Sequence, residues 1–252
     1  MFLRIVKAGI RRDKGPALES VYRDVLMPEL EKTDGCLFAG LLQGVDSSQH
    51  YASLTLWESA GQIRDYNESG SFERNMAHIR SFLEETSEWS IQLSDEDTIE
   101  YVPVKQDPVI KSYPVDSGGS NLPDYLEGNR RFMRMLSLKI KPGQEEEFKR
   151  IYRNDIQTTL KKTSGCRFSV LIDNTVKERE FLSLSIWDDP ESVKLYEEQG
   201  EFINLLKKIR HTLTELYQRK MALDDKSKSR FSVTSEDAEI SKFTLVAGKT
   251  FR

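Results

Sequence analysis

The chain has 252 residues, a hydrophobic fraction of 38%, a charged fraction of 31% and a formal net charge of −4. This composition is typical of a globular protein, and the negative balance argues against a nucleic-acid partner. No apolar run approaches the roughly 20 residues that span a bilayer, so we expect no membrane partner either. The first residues lack the apolar stretch and cleavage site of a signal peptide, and we therefore expect a cytoplasmic location.

The first predicted elements are a strand and a helix. Apolar residues alternate from Phe2 to Ile10, which is the pattern of a strand with one buried face. Turn-forming residues follow, and apolar residues then recur every three or four positions from Leu18 to Leu30, which indicates an amphipathic helix. Pro28 lies inside that stripe and should bend or shorten the helix. Gly35 stands where a helix end favours a left-handed residue.

The next elements are two strands and a broken helix. The strands are predicted at Cys36–Gln43 and Tyr51–Trp57, joined by a hairpin loop. A helical region follows Trp57, is interrupted at Gly70 and then resumes with a second apolar stripe. We place the last strand of this set at Thr98–Val104. The order is β-α-β-β-α-β, the ferredoxin-like arrangement, with helices on one face of an antiparallel sheet.

The whole pattern occurs twice. Residues 2–85 align with residues 132–215 at a constant offset of 130 without a gap, and about a quarter of the pairs are identical. We therefore predict an α+β protein with a first module at 1–105, a linker at 106–130 and a second module at 131–252. The linker assignment depends on its prolines and on the run Ser117-Gly118-Gly119-Ser120.

The third strand has two different faces. Ala52, Leu54 and Leu56 form an apolar face, whereas Tyr51, Ser53, Thr55 and Trp57 mix aromatic rings with hydroxyls. The second copy repeats this alternation. Such a mixed face either lines a cavity or is covered by protein, and we expect the other module to cover it.

The two cysteines, Cys36 and Cys166, occupy the same position of the repeat. Neither belongs to a CxxC or Cys/His pattern, so the spacing predicts no metal site. We expect both to be reduced, small core residues rather than reactive groups.

Two tracts resemble the antibiotic biosynthesis monooxygenase family. The first runs from Gly35-Cys36 to Leu54-Thr55-Leu56-Trp57, and the second runs from Tyr66 to Gly70-Ser71-Phe72; both recur in the second copy. Members of this family usually pair two modules so that their sheets form a dimeric α/β barrel. The resemblance therefore implies an intramolecular pseudo-dimeric α/β barrel, and further association into a homodimer stays open.

The resemblance also implies a cofactor-independent monooxygenase for an aromatic or quinone-like small molecule, with molecular oxygen as co-substrate. The family keeps a tryptophan beside the pocket, which here is Trp57 or Trp187. The candidate catalytic residues are Trp57, Trp187, Tyr66 and Tyr196. The candidate substrate-binding residues are Tyr22, Tyr152, Ser53, Ser183, His78, Arg80 and Arg210. Some active members have an Asn where this chain has Ser53 and Ser183.

Each candidate also has a structural interpretation. The tryptophans and tyrosines are compatible with core packing, and Arg80 and Arg210 with solvated charges near the end of a helix. A pseudo-dimeric binding or structural module without catalysis is therefore an alternative function. Haem binding or degradation is a weaker alternative. The haem-degrading branch of the family uses three positions, which are occupied here by Met76, Lys7 and Tyr66. None of the three matches that branch, and His78 lies two residues from the position of the iron ligand.

Overall fold

The strands and helices of the first copy follow the predicted order. The computed structural model describes residues 1–93, 99–105, 107–115, 122–126, 131–173, 179–214, 234–235 and 238–251. Within the first copy it places β1 (Phe2–Gly9), α1 (Gly15–Val21), a π-helical turn (Tyr22–Leu26), α2 (Met27–Glu31), β2 (Cys36–Gly44), β3 (His50–Trp57), α3 (Ala60–Glu68), α4 (Ser71–Ile79), β4 (Glu85–Leu93), β5 (Ile99–Lys105) and β6 (Val109–Pro114).

The second copy repeats this core. Its elements are α5 (Leu122–Leu126), β7 (Phe132–Lys139), α6 (Glu145–Ile151), a π-helical turn (Tyr152–Ile156), α7 (Gln157–Leu160), β8 (Cys166–Asp173), β9 (Glu180–Trp187), α8 (Pro190–Glu198), α9 (Glu201–Ile209), β10 (Thr234–Ser235) and β11 (Ala238–Thr250). The predicted α+β class with two tandem ferredoxin-like modules is confirmed. No helix in the described parts of the chain is long and apolar enough to cross a membrane.

The chain folds into two compact units, and each unit includes a short segment from the opposite end of the sequence. The N-terminal unit comprises Arg4–Lys111 and Val246–Arg252, and the C-terminal unit comprises Met1–Leu3 and Ser112–Leu245. In the N-terminal unit, the backbone N–H of Phe251 donates to the Leu37 carbonyl oxygen at 2.8 Å. The predicted linker, 106–130, contains β6 and α5, and its residues 106, 116–121 and 127–130 lie outside the described set.

The edge position beside β1 is occupied by β6, and the strand predicted for that position pairs elsewhere. In the first copy β1 lies between β3 and β6, and β3 pairs with β2. The predicted last strand does form, as β5, but it pairs only with β4 in a separate two-stranded sheet. Pro108 and Pro114 made this segment look like a linker, although prolines are tolerated at the ends of an edge strand.

Both copies contain the same irregularity in the first helix. The chain leaves the α-helix for a π-helical turn at Tyr22–Leu26 and at Tyr152–Ile156. Pro28 was expected to bend the first of these helices, but the second copy has Thr158 at that position and the same π turn. The turn therefore does not depend on the proline. A π turn changes the direction of the side chains that follow it along the helix, and turns of this kind are often found at functional sites.

The Gly-Cys step that opens the second strand of each copy needs glycine. Gly35 has a φ of +73° and Gly165 a φ of +80°. A Cβ atom at Gly35 would lie 2.0 Å from the Gln62 side chain, and one at Gly165 would lie 2.3 Å from Ser192. The left-handed backbone therefore disfavours a side chain at both positions, and at Gly165 the close approach of Ser192 adds to this.

The mixed face of β3 is covered differently from the prediction. We expected the other module to cover it, but the helices of the N-terminal unit lie over it, and the Tyr22 hydroxyl bonds to the Ser53 hydroxyl across this layer. The expectation assumed that the helix stripe would prefer a purely apolar face. A helix that carries a tyrosine can satisfy strand hydroxyls, so the mixed face becomes the inner wall of the unit.

Candidate functional site

The N-terminal unit has a partly open cavity between its sheet and its helices. The cavity has a volume of about 60 Å³. Its wall consists mostly of apolar and aromatic side chains with a few polar groups among them. The lining residues are Arg4, Val6, Ala8, Ile10, Leu18, Tyr22, Leu26, Leu30, Leu41, Tyr51, Ser53, Thr55, Tyr66, Phe72, Asn75, Met76, Ile79 and Pro108. Because drug-sized ligands occupy sites of about 300–1,000 Å³, this cavity suits a compact ligand.

The π turn places a tyrosine hydroxyl at one end of the cavity. Tyr22 is 1% exposed, and its hydroxyl donates to the Gly40 carbonyl oxygen at 3.1 Å. The Ser53 hydroxyl oxygen lies 2.9 Å from the Tyr22 hydroxyl oxygen, so Ser53 can donate to Tyr22. Burial raises the pKa of Tyr22, and the phenol therefore stays protonated near neutral pH. The pair satisfies itself and offers little further hydrogen bonding to a ligand.

A second tyrosine in the wall keeps a free donor. The Asn75 side-chain amide donates to the Tyr66 hydroxyl oxygen at 2.8 Å, and both residues are buried. Burial raises the pKa of Tyr66, so this phenol also stays protonated. The Asn75 amide donates to the Tyr66 hydroxyl oxygen, and no described residue accepts a hydrogen bond from the Tyr66 hydroxyl. Tyr66 can therefore donate one hydrogen bond to a ligand in the cavity.

Trp57 supports this tyrosine from behind. Its ring centroid lies 5.1 Å from that of Tyr66, and its indole N–H donates to the Thr55 hydroxyl at 2.8 Å. The side chain is fully buried and does not belong to the cavity wall. Trp187 makes the same contacts in the C-terminal unit, with Tyr196 at 5.3 Å and Ser185 at 2.9 Å.

A buried arginine closes another side of the cavity. Arg4 is 3% exposed, and its guanidinium lies over the rings of Phe72 at 4.3 Å and Tyr66 at 5.6 Å. Its Nη2 donates to the Asn67 side-chain oxygen at 3.4 Å, and its buried Nε has no partner among the described residues. Burial lowers the pKa of Arg4, but an arginine keeps its charge at any physiological pH.

The corresponding positions of the C-terminal unit are filled. Where the cavity wall has Ala8, Leu18 and Asn75, the second copy has Leu138, Phe148 and Leu205. These three side chains are all buried in the apolar core cluster of that unit. The larger side chains take up volume at these three positions, so the two copies differ in what they can hold although they share a fold.

The C-terminal unit also neutralises its buried arginine. Arg134 stacks on Phe202 and Tyr196 as Arg4 does on their counterparts, at 4.2 and 5.9 Å. Its Nε donates to the Glu197 carboxylate at 2.9 Å, and the Lys242 ammonium donates to the other oxygen of that carboxylate at 2.6 Å. The first copy has Asn67 at the Glu197 position, so the carboxylate is missing there.

A larger cavity of about 770 Å³ lies in the C-terminal unit, and several of its charged residues pair with one another. Lys149 in its wall pairs with Asp173 at 3.2 Å and with Glu146 at 3.3 Å. The Tyr152 hydroxyl bonds to the Val170 carbonyl oxygen and to Ser183, as Tyr22 does in the first copy. The buried tyrosine of this wall is therefore satisfied within the unit, and Lys149 is neutralised by two carboxylates.

The structure thus brings together only part of the residue set selected from the sequence. Tyr22, Ser53 and Tyr66 share the wall of the smaller cavity. Their counterparts Tyr152, Ser183 and Tyr196 are buried in the C-terminal unit. Three other candidates have exposed side chains and line neither cavity: His78, Arg80 and Arg210.

Sequence reasoning missed Arg4, Asn67 and Asn75. Arg4 had been assigned only to the alternating pattern of the first strand. The signal that could have found the others is a polarity difference between copies at buried positions, as in Asn75 against Leu205 and Asn67 against Glu197. The candidate His78 also differs from its counterpart in the second copy, Lys208, but both of these residues are exposed.

The residues of the cavity do not fit a haem group. His78, the candidate iron ligand from the sequence, is exposed, and Met76 lies in the cavity wall. A cavity of about 60 Å³ is also far smaller than a porphyrin. Within the described ranges no three His, Cys, Asp or Glu side chains are grouped to hold a metal ion.

The cysteines lie in unreactive surroundings. Burial raises the pKa of Cys36 to about 12 and that of Cys166 to about 11, and each Sγ–H points to a backbone carbonyl oxygen two residues ahead. We therefore expect both thiols of the folded protein to react with a maleimide at pH 8 at least tenfold more slowly than they do in guanidinium, since only the thiolate reacts. Mass spectrometry of timed samples measures this, and rapid labelling of either cysteine in the folded protein would contradict it.

Comparison with known proteins agrees with the fold. The chain is similar to a provisionally named monooxygenase from Fusobacterium nucleatum, with 10% identity, a TM-score of 0.64, and coverage of 99% of this chain and 94% of that one. A similarly named protein from Lactobacillus acidophilus and an anthrone oxidase-like protein each give 10% identity and a TM-score of 0.58. Each alignment covers 99% of this chain, and 95% and 92% of the other. At this identity the likeness concerns the fold alone.

A comparison with curated proteins gave no match. The model of the antibiotic biosynthesis monooxygenase family, in contrast, matches residues 1–78 and again residues 131–208. The two matched stretches coincide with the two copies of the repeat and together cover more than half of the chain. The protein therefore belongs to the antibiotic biosynthesis monooxygenase family, with two copies of the family domain in one chain.

Proposed function

We propose that the N-terminal unit is a cofactor-independent monooxygenase for a small phenol or quinol. The observation that carries this proposal is the cavity itself. It is partly open, mostly apolar, lined by aromatic rings and equipped with one free phenolic donor at Tyr66, and it occurs in a chain of this family. Its volume of about 60 Å³ argues against the fused rings of an anthrone, and a single ring enters only if side chains of the wall move. Larger apolar side chains occupy three matching positions of the C-terminal unit, so we assign that unit a structural role.

The chemistry requires an ionised substrate and molecular oxygen. The substrate anion transfers one electron to O₂, and the two radicals combine at a ring carbon to give a peroxide anion, which takes up a proton. Loss of water then leaves a ring carbonyl, so one oxygen atom enters the product and the other leaves as water. A benzenediol would become a hydroxyquinone by the gain of one oxygen atom and the loss of two hydrogens. An apolar cavity assists because it keeps bulk water from the radical pair.

A binding module without catalysis is the second candidate, and one observation favours it. No carboxylate and no histidine lines the cavity among the described residues, so no side chain there is suited to take the proton of a neutral phenol at pH 7. The monooxygenase therefore needs a substrate that ionises without a general base in the cavity wall. If compact aromatic ligands bind and no oxygen is consumed across a range of pH, the binding module is the correct assignment.

The test fills the cavity with the residue that the second copy uses. Ala8→Leu should reduce oxygen uptake with a methyl-substituted benzenediol at least tenfold, because Leu138 shows that the module accepts leucine there and the added carbons occupy the cavity. The matched control is Leu138→Met, a change of nearly constant volume in the C-terminal unit, which should leave uptake unchanged. An oxygen electrode and product mass give the readout. Unchanged uptake in a folded Ala8→Leu variant would refute the site.

We extend the proposal to the assembly and the location on the strength of the family alone. The two copies would pair within the chain as two subunits do in other members, and the protein would act in the cytoplasm. Small-angle scattering of the whole chain at several concentrations would test the first point, since a chain that pairs internally needs no second chain to remain compact.

A further inference from the structure

The two buried arginines of the repeat have opposite electrostatic surroundings. Arg134 is balanced by Glu197, whose carboxylate lies 2.9 Å from its Nε. Arg4 is equally buried and makes the same ring contacts, yet the matching position is Asn67. The described residues place no carboxylate within ion-pair distance of Arg4. The second copy therefore shows that the fold accepts a carboxylate beside this arginine, and the described residues of the N-terminal unit supply none to Arg4.

A buried cation without a counter-charge is costly for the free energy of folding. Removing one partner of a buried ion pair leaves an uncompensated charge, which destabilises proteins strongly. Stacking on Phe72 and Tyr66 offsets only part of that cost, and among the described side chains only Asn67 accepts a hydrogen bond from Arg4, at a long 3.4 Å. The Nε–H is left unpaired. A negatively charged ligand would supply what Glu197 supplies in the C-terminal unit.

Two groups of the cavity wall, Arg4 and Tyr66, keep hydrogen-bond donors for a ligand. Arg4 has only donors, and the Tyr66 hydroxyl accepts from Asn75 and keeps its own hydrogen. Tyr22 and Ser53 satisfy each other and the Gly40 carbonyl oxygen. A wall that is mostly apolar, carries a buried positive charge and can donate to a ligand favours an apolar body with one anionic oxygen group.

We propose that the cavity of the N-terminal unit binds single-ring aromatic anions, whose phenolate or carboxylate oxygen pairs with Arg4 and accepts a hydrogen bond from Tyr66. The inference deepens the proposed function, because it names the ionised form as the one that is bound. It would also explain how a site without a general base obtains an ionised phenol: the cation lowers the pKa of the bound phenol. Ligand binding alone, without oxygen chemistry, would leave the inference valid.

The probe is 4-nitrophenol, whose phenolate absorbs visible light whereas the neutral form does not. We expect the wild-type chain to bind the phenolate at least tenfold more tightly than the phenol, which is a downward shift of about one unit in the apparent pKa of the bound probe. Benzoate should compete for the site and benzamide, its neutral counterpart, should not. Equal binding of both forms, or no binding of either, would overturn the proposal.

The decisive variant is Asn67→Glu, which installs the carboxylate of the second copy. Asn67 is exposed, so the variant should fold, and its new carboxylate should pair with Arg4 as Glu197 does with Arg134. The pKa shift of the probe should disappear. Asn67→Gln, of the same size and without charge, should keep it. If Asn67→Glu still binds the phenolate as tightly as the wild type does, Arg4 is not the binding group.

The two proposals fail in different ways. A wild type that shifts the pKa of 4-nitrophenol but consumes no oxygen with any benzenediol supports the anion site and refutes the monooxygenase. Oxygen uptake that persists undiminished in Asn67→Glu supports the monooxygenase and refutes the role of Arg4.

Discussion

Replacing Glu197 with Gln should lower the free energy of unfolding of the C-terminal unit by about 2–3 kcal/mol. The change leaves the buried Arg134 and the neighbouring Lys242 without the carboxylate that both contact. Breaking a fully buried pair costs about 3–5 kcal/mol, and we place this one lower because the Glu197 side chain is 23% exposed and glutamine can still accept one hydrogen bond.

The matched control is Asn67→Gln, which ends with the same residue at the same position of the other copy. No ion pair is lost there, so the stability change should stay within about 0.5 kcal/mol, as for most surface substitutions. Hydrogen exchange followed on peptides from β7 and from β1 reports each unit separately, and urea unfolding gives the sum. Equal effects of the two variants would show that the Glu197 carboxylate contributes no net stability.

Truncation of either tryptophan should have the largest effect on stability. Trp57→Ala and Trp187→Ala should each cost about 3–5 kcal/mol, because both rings are fully buried and stack on a tyrosine that is also buried. The indole N–H of each also satisfies a strand hydroxyl, which would lose its partner. Urea unfolding of the two variants measures the loss.

The milder change Trp57→Phe separates packing from catalysis. Trp57 lies behind Tyr66 and outside the cavity wall, so a folded Trp57→Phe variant should keep oxygen uptake within about threefold while losing stability. A drop of about a hundredfold in a variant with an unchanged fold would assign Trp57 a direct part in the reaction, as the family resemblance implies. Trp187→Phe, in the packed unit, is the reference for the structural effect alone.

The sequence by itself determined the architecture. The 130-residue offset, the alternating strands and the helical stripes specified two β-α-β-β-α-β modules, and the Gly-Cys and Trp tracts specified the family. These patterns are local consequences of burial on one face of each element, so they survive in the order of residues. The sequence also selected three residues of the cavity wall, Tyr22, Ser53 and Tyr66, because both copies keep them.

The tertiary structure decided three things that no local pattern contains. It assigned the edge position beside β1 to β6, since strand pairing depends on non-local hydrogen bonds that prolines in the sequence concealed. It turned the mixed face of β3 toward the helices of its own unit. It also placed Arg4 beside Asn67, which follows it by 63 residues, and only that contact reveals a buried charge without a counter-charge. Electrostatic balance is a property of neighbours in space, and the order of residues along the chain does not record it.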